Sequence, residues 1–540
     1  MLILENTFAN PASVADVQYQ APERYLILGL GESGVAMAKW CLRNGATVRL
    51  VDTRERANFS ERQLAWLAEL EFAGLTDTHF GPIHDDLLLD IDVIGISPGL
   101  SPLQEPTESF LVKARKARVD VWSEIEFFAR AIAAMSRMAQ ARQSSYASLV
   151  LAVTGTNGKT TTTALTGQLC ERAGKKVAVA GNISPAALEK LMTCLDGADQ
   201  LEDMPDVWVL ELSSFQLVFT YSLNATAATV LNITQDHLDW HGDMAAYAQA
   251  KSKIFGEDTV CILNRDDPTV MGLLSQEQKL EKSIVTFGSN RPDEQGAFGI
   301  EHDLRAGGID WLVWAEVDED LEPKPKRRRK STISEEDEPL RLKRLIPADA
   351  LRIRGRHNAL NALAALALAR AANLPLNVLL HGLRDYHGEP HRVQSIAVVN
   401  DVEYVDDSKG TNVGATVAAL NGLGSNEAGK RIWLIAGGDG KGQDFSPLRE
   451  PALRFVKGIF LIGKDGTKIA AAIGDDIACQ NCGDLSEAVR AAADQAVSGD
   501  LVLLSPACAS LDQFRDYKER AQVFISEVEE LGMRFEGVQA

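Results

Sequence analysis

The chain has 540 residues, room for about three domains with cores of their own, and its 45% hydrophobic and 24% charged content is that of a globular protein. A net charge of −20 argues against nonspecific binding to nucleic acid or to an anionic membrane. Met1–Asn6 lacks the features of a signal peptide, no apolar run reaches the roughly eighteen residues of a membrane span, and the seven scattered cysteines (only Cys479 and Cys482 are close) lack zinc-site spacing, so the expectation is a cytoplasmic protein.

Tyr25–Leu28 reads as a strand, followed by Gly29-Leu30-Gly31-Glu32-Ser33-Gly34 and a helix through Cys41. The next strand, Thr47–Val51, ends in Asp52, near the place where a dinucleotide fold keeps its ribose-binding acid. Alone, this pattern suggests an NAD-dependent dehydrogenase. Arg54 stands two residues after the acid, however, and a second phosphate loop lies downstream, so a nucleotide-linked substrate held through its diphosphate fits equally well. Ile91–Gly99 reads as a buried strand whose final turn faces the same ligand. Ala134–Ser148, polar and small, reads as a connector.

The second block opens on Leu149–Val153, a strand that runs into Thr154-Gly155-Thr156-Asn157-Gly158-Lys159-Thr160-Thr161-Thr162, with a helical pattern from Ala164. A strand, a glycine-rich turn and a helix N-terminus direct free N–H groups at an anion; Lys159 adds a charge for the β/γ-phosphates and Thr160 a hydroxyl for Mg²⁺. The first glycine of the usual pattern is replaced by Val153, which makes this a P-loop variant, and ATP is its expected ligand. Val207–Leu210 is an apolar strand ending in Glu211, where P-loop enzymes keep a metal-binding acid. Ala228–Ile233 runs into Asp236-His237, a pair suited to Mg²⁺ or phosphate. Tyr247–Phe255 reads as a helix on which Lys251 and Lys253 cannot share a face, and the residues alone make both surface lysines.

From Glu316 to Arg344 opposed charge blocks surround the basic run Lys324–Lys330, the composition of a mobile, solvated insertion. Arg354–Asn358 then leads into a buried helix with a capped start, Ala359–Ala372. The third block repeats the strand-end theme: Val402–Val405 reaches Asp406–Asn412, Ile432–Ala436 reaches Gly437–Lys441, and Leu501–Leu504 reaches Ser505–Phe514. Such turns are where open α/β sheets bind ligands, and Lys441 and Ser510 suit a carboxylate.

Gly155–Thr161, Glu211–Leu217, Asn232–Asp239, His357-Asn358 with Asn361, and His391-Arg392 resemble the motifs of the Mur ligases, ATP-dependent amide ligases of peptidoglycan synthesis. Asp407-Ser408-Lys409 with Thr411-Asn412, Gly437–Lys441 and Ser505–Phe514 are similar to the branch that adds D-glutamate. The resemblance runs from about Leu26 to the C-terminus. It implies an α/β fold of three domains: Rossmann-like over residues 1–130, P-loop ATPase-like over 131–388, and Rossmann-like again over 389–540.

By resemblance, Gly29, Leu30, Gly31, Glu32, Ser33, Asp52, Thr53, Arg54, Ser97 and Asn182 hold UDP-N-acetylmuramoyl-L-alanine. ATP meets Gly155, Thr156, Asn157, Gly158, Lys159, Thr160, Thr161, Asn361, Arg392, Asp407 and Lys409. Two Mg²⁺ ions meet Thr160, Glu211, His237 and Lys251, with Lys251 carbamylated, and Lys159, His237 and Lys251 are the implied catalytic groups. D-Glutamate meets Thr411, Lys441, Ser510, Leu511 and Tyr517. The implied protein is a monomer that moves its domains to bring these groups together. Glu32-Ser33 in the uridine-contacting turn and Tyr517, where the family has Phe, depart from the pattern, and the charged insertion and long connector are extra.

Overall fold

Runs such as Tyr25–Leu28 and Val207–Leu210 are apolar at successive positions, so both faces of each strand must be covered, as in a parallel sheet between layers of helices. In a computed structural model that describes residues 24–304, 308–317, 340–424 and 431–539, such strands form three sheets. The first holds β1 (Arg24–Leu28), β2 (Thr47–Asp52), β3 (Asp77–Phe80), β4 (Val93–Ile96) and β5 (Asp120–Trp122). All are parallel, in the order β3-β2-β1-β4-β5. Strand order reverses between β1 and β4, which sets the Gly29 and Ser97 turns side by side at the carboxyl ends of the strands.

The second sheet contains β6 (Leu149–Thr154), β7 (Val177–Gly181), β8 (Val207–Glu211), β9 (Ala227–Val230), β10 (Val260–Asn264), β11 (Ile284–Phe287), β12 (Phe298–Asp303), β13 (Ile309–Val317) and β14 (Leu340–Pro347). Its order is β14-β13-β12-β11-β10-β9-β6-β8-β7, parallel from β7 to β12 and antiparallel across the last three strands. Strand β6 is an interior strand, with Val153 in register with Glu211 on one side and Thr229 on the other. The third sheet, β15 (Gln394–Val399), β16 (Val402–Asp406), β17 (Ile432–Gly437), β18 (Val456–Ile462), β19 (Ala478–Gly483) and β20 (Leu501–Leu504), runs β15-β16-β20-β17-β18-β19, with only the β15–β16 pair antiparallel.

Three expectations change. The helix Glu124–Ala141 includes most of the segment read as a connector, because Ala134, Met135 and Ala139 continue its buried stripe. Further up the helix, Phe128 packs edge-on against Trp208 with ring centroids 5.1 Å apart. Glu316 and Leu340–Arg344, read as the ends of the charged insertion, pair across β13 and β14, where alternating apolar residues hold them to the sheet. The basic run Lys324–Lys330 lies outside the described residues, as does Met1–Asn6. Cys479 and Cys482 are strand residues of β19. The helix Arg356–Ala371 is buried as expected, although no side chain caps its start, and it packs on the helix Lys159–Arg172 behind the P-loop. Among the described residues no helix is long and apolar enough to cross a membrane.

Leu363, fully buried where these two helices meet, anchors the layer that supports the P-loop. Leu363→Ala should cost about 2–5 kcal/mol through lost transfer energy and the cavity left behind, read as a lower Tm; an unchanged Tm would show that this layer is not part of the cooperative core.

Candidate active site

Gly29 leaves β1 at φ 100°, a left-handed value that glycine adopts without strain. Gly34 packs so closely on this turn that a Cβ there would lie 1.9 Å from the Gly29 carbonyl oxygen. Ser97 Oγ donates to that same carbonyl at 2.9 Å. Asp52 is buried and fully engaged: Oδ2 accepts from Leu30 N at 2.7 Å and Oδ1 from Arg54 N at 2.9 Å, while the Arg54 guanidinium grips both oxygens. These bonds hold the carboxyl below its ordinary range against the upward push of burial. The acid orders the turn. Glu32 turns aside to accept from Ser184 Oγ at 2.8 Å, Leu30 O accepts from Gln63, and Ser33 and Thr53 are half-buried.

The P-loop is a second such turn. Gly155 (φ 152°) and Gly158 (φ 83°) allow the chain to double back, and the helix begins at Lys159, earlier than its apolar pattern suggested. Asn232 braces the turn from the end of β9, accepting from Asn157 N at 2.8 Å and donating to Asn157 O at 3.0 Å. Thr156 Oγ1 donates to Thr234 O at 3.2 Å and meets the Tyr247 hydroxyl at 3.1 Å. Lys159 Nζ folds onto the turn, donating to the carbonyls of Gly155 at 3.0 Å and Thr156 at 2.9 Å. Burial, reinforced by Arg392, lowers its pKa, with Glu211 and Asp236 opposing.

Lys251 overturns its surface assignment: it is 1% exposed, donates to Gly155 O at 2.9 Å, and lies over the Tyr247 ring. Spacing indicated which helix face it occupies but not that this face packs on the P-loop. Burial first, and then Lys159, push its pKa well down. Lys253 is half-buried. Glu211 is also buried; Oε1 accepts from Asn182 Nδ2 at 2.9 Å, while Oε2 has no hydrogen-bond partner. A buried carboxylate oxygen without a donor suits a cation. His237, left-handed at φ 55°, has Nε2 3.5 Å from Asp236, and its pKa is lowered by burial against the pull of Asp236 and with help from Lys441, Lys159 and Lys251. No cluster of three His, Cys, Asp or Glu side chains suited to a metal occurs among the described residues. Mg²⁺ that shares its shell with phosphates and water needs only one or two protein ligands.

The third sheet reaches this loop directly. Arg392 Nη2 donates to Thr160 Oγ1 at 2.6 Å, and Asn412 exchanges hydrogen bonds with Asn157 at 3.0 and 3.2 Å. Asn361 lies against Gly158, where a Cβ would meet its Oδ1 at 2.4 Å, and helps line a cleft of about 170 Å³ walled by Leu231, Phe287, Leu360 and Ala418. Thr161 is buried, and its carbonyl faces the Tyr386 hydroxyl at 3.5 Å. Asp407 accepts from Ser505 Oγ at 2.7 Å; burial pushes its pKa up to about 7 despite that bond and Arg392. Lys409 lies 3.9 Å from the centroid of the Tyr517 ring, its pKa brought down to about 8 by burial and then by Arg392. Backbone bonds between Asp439 and Ala509 join the loops carrying Lys441 and Ser510. Thr411 is half-buried and Ser510 buried, whereas Lys441 and Leu511 are exposed.

Asn232, Tyr247, Asn412 and Arg520 have no role of their own in the sequence reading. The buried Arg520 donates to Ser408 O and Cys508 O and so ties two strand-end loops together. Asn232 and Asn412 stand at strand ends within recognised motifs, a signal that could have found them; Arg520 and Tyr247 lie within ordinary helical sequence.

A substrate turn, a phosphate loop and a third sheet closing on it define an ATP-dependent ligase of three α/β units. The chain matches the descriptions Mur ligase MurD-like, N-terminal domain over residues 23–123, Mur ligase middle domain over 153–369, and Mur ligase, glutamate ligase domain over 391–508. It belongs to the Mur ligase family. It is 56% identical over 501 residues to the UDP-N-acetylmuramoylalanine–D-glutamate ligase of Ralstonia nicotianae, covering 92% of this chain and 95% of that one. It is 55% identical over 515 residues to the ligase of the same name from Cupriavidus pinatubonensis, covering 94% and 97%. Among solved structures, the MurF ligase of Thermotoga maritima in complex with ADP aligns with a TM-score of 0.56 at 15% identity over 94% of this chain and 98% of that one, a likeness of fold.

Asp407 supplies a pH test. Its folded pKa of about 7 lies above the unfolded value of about 4, so the folded state holds the extra proton between them. Its contribution therefore lowers stability as pH rises through that window and is constant above it. Asp407→Asn should gain Tm relative to the parent protein as pH rises towards 7; parallel Tm–pH curves would refute the buried acid.

Proposed function

We propose that the chain joins D-glutamate to UDP-N-acetylmuramoyl-L-alanine, using ATP and passing through an acyl phosphate. The observation that carries this reading is the Arg392–Thr160 hydrogen bond, which sets the third sheet's strand-end loops over the P-loop, where an activated carboxyl and an amine can meet. The nucleotide-linked substrate lies on the Gly29–Gly34 turn, with Asp52–Arg54 and Ser97 fixing its shape. Its alanyl carboxylate attacks the γ-phosphorus; a carboxyl O–P bond forms, the β,γ-bridging P–O bond breaks, and ADP leaves. The D-glutamate amine then attacks the acyl carbon. The C–N bond forms, phosphate departs with the C–O bond electrons, and the amine loses its proton.

A carboxylate becomes a useful electrophile only once its oxygen can leave, and bringing it to a triphosphate sets two anions together. Lys159 and Arg392 stand where that charge develops, and Asn157, held by Asn232 and Asn412, presents the turn. Glu211, Thr160 and His237 would hold Mg²⁺, consistent with the partnerless Glu211 Oε2. When bound, the metal neutralises phosphate charge and orients the oxygens. Burial favours Lys251 as a neutral amine, the form that adds CO₂, and the resulting carbamate gives a second anionic ligand for metal. Asn361 and Asp407 take the adenosine side, with Lys409 near the phosphates; Thr411, Lys441, Ser510, Leu511 and Tyr517 take D-glutamate. The reaction belongs in the cytoplasm, and because one chain supplies every group, a monomer suffices.

Phosphate release from ATP and Mg²⁺ with UDP-N-acetylmuramoyl-L-alanine should require D-glutamate and yield a product heavier by one glutamyl unit. Release with L-glutamate, L-alanine or a diamino acid in its place would refute the substrate, and release without any amino acid would refute the ligase reading. Gly34→Ala, which forces a methyl group into the Gly29 turn, should weaken binding of the UDP-linked substrate by about tenfold and leave ATP binding intact, measured by calorimetric titration. Unchanged substrate affinity would dissociate that turn from the uridine nucleotide.

A further inference from the structure

Glu124 is a buried acid that the mechanism above does not use. It is the first residue of the helix Glu124–Ala141, is 1% exposed, and lies among Ser97, Phe215, Gln216 and Trp240 between the first and second sheets. Its Oε1 accepts from Leu188 N at 2.5 Å, and its Oε2 is buried without a hydrogen-bond partner. The helix receiving this contact, Ala187–Asp196, has Ala186 at its N-cap position and no side-chain cap of its own. A helix start leaves N–H groups unsatisfied, and a carboxylate placed there meets both the donors and the positive end of the helix dipole. Glu124 supplies from another helix the cap that Ala186 cannot.

What this cap secures is the loop before the helix. Gly181 leaves β7 at φ 115°, and a Cβ there would lie 2.3 Å from the Glu211 carbonyl oxygen. Asn182 N donates to Glu211 O at 2.7 Å, and Asn182 Nδ2 to Glu211 Oε1 at 2.9 Å. Two residues on, Ser184 Oγ donates to Glu32 Oε1 at 2.8 Å, and Gly181 N donates to Pro185 O at 3.1 Å. The loop therefore touches the substrate turn through Ser184 and the metal-facing acid through Asn182, and Glu124 is the anchor at its far end.

We infer that Glu124 is a positioning residue for the ligase reaction: by capping the Ala187–Asp196 helix it fixes the loop whose Asn182 sets the Glu211 carboxylate toward its metal. Burial, joined by Glu32, raises the Glu124 pKa to about 7 against its backbone donors, so the carboxyl keeps an acceptor oxygen in either protonation state. The inference rests on Glu211 as a metal ligand, and the test separates the two.

Glu124→Ala removes the acceptor, Glu124→Asp draws it back by one methylene, and Glu124→Gln keeps it. Steady-state assays below each variant's Tm would measure kcat, the half-saturating Mg²⁺ concentration and the KM for D-glutamate, with Glu211→Gln as the control. Residues that orient metal ligands typically change metal affinity or activity by about 10–100-fold. The Ala and Asp variants should lose kcat and require more Mg²⁺ on that scale, keep the D-glutamate KM, and differ from a Gln variant that stays close to the parent. If the Ala variant does not fold, the Asp and Gln pair carries the same comparison. A lower Tm with unchanged kcat and Mg²⁺ requirement in the folded variants would overturn the inference and leave Glu211 in place. An unchanged Mg²⁺ requirement in Glu211→Gln would overturn both.

Discussion

Two lysines converge on a single carbonyl oxygen. Lys159 Nζ and Lys251 Nζ both donate to Gly155 O, at 3.0 and 2.9 Å, and Lys251 is sealed from solvent. Two like charges that close, with little water between them, raise each other's free energy, and Arg392 adds a third cation through Thr160. Such a site is relieved by anions: the phosphates of a nucleotide, the Glu211 carboxylate, or conversion of one amine into an acid. The P-loop presents a field already arranged for charge that arrives with the substrates.

The remaining architecture keeps this field in place and brings reactants to it. Strand β6 lies inside its sheet, so its neighbours β8 and β9 deliver Glu211 and Asn232 to the two sides of the turn. The first sheet contributes a similar turn, in which an acid and an arginine neutralise one another. The third sheet places Asp407, Lys409 and Ser510 on loops tied together by Arg520 and by the Asp439–Ala509 bonds.

Much of this was legible in the sequence because parallel sheets declare themselves. Both faces of a central strand are buried, so Tyr25–Leu28, Leu149–Val153 and Val207–Leu210 are continuously apolar, and the glycine or acid that follows marks the ligand-facing end. Less legible was whatever depends on what covers a surface. Lys251 reads as a surface lysine because helical spacing assigns a face without naming its neighbour. Ala134–Ser148 reads as a connector because small residues look polar on average, yet those up to Ala141 still form a buried stripe. The Asn157–Asn412 contact joins residues 255 positions apart and has no local signature.

The most direct test of the account is the chemical form of Lys251. Carbon-13 NMR of the protein equilibrated with labelled bicarbonate should show a protein-bound carbamate carbon that disappears in Lys251→Gln. That result would establish that the buried amine is neutral enough to add CO₂ and that the crowding of cations at Gly155 is relieved by making one of them an anion. A spectrum with no bound carbon, or with a signal that persists in the variant, would contradict it and leave two lysines competing for one carbonyl.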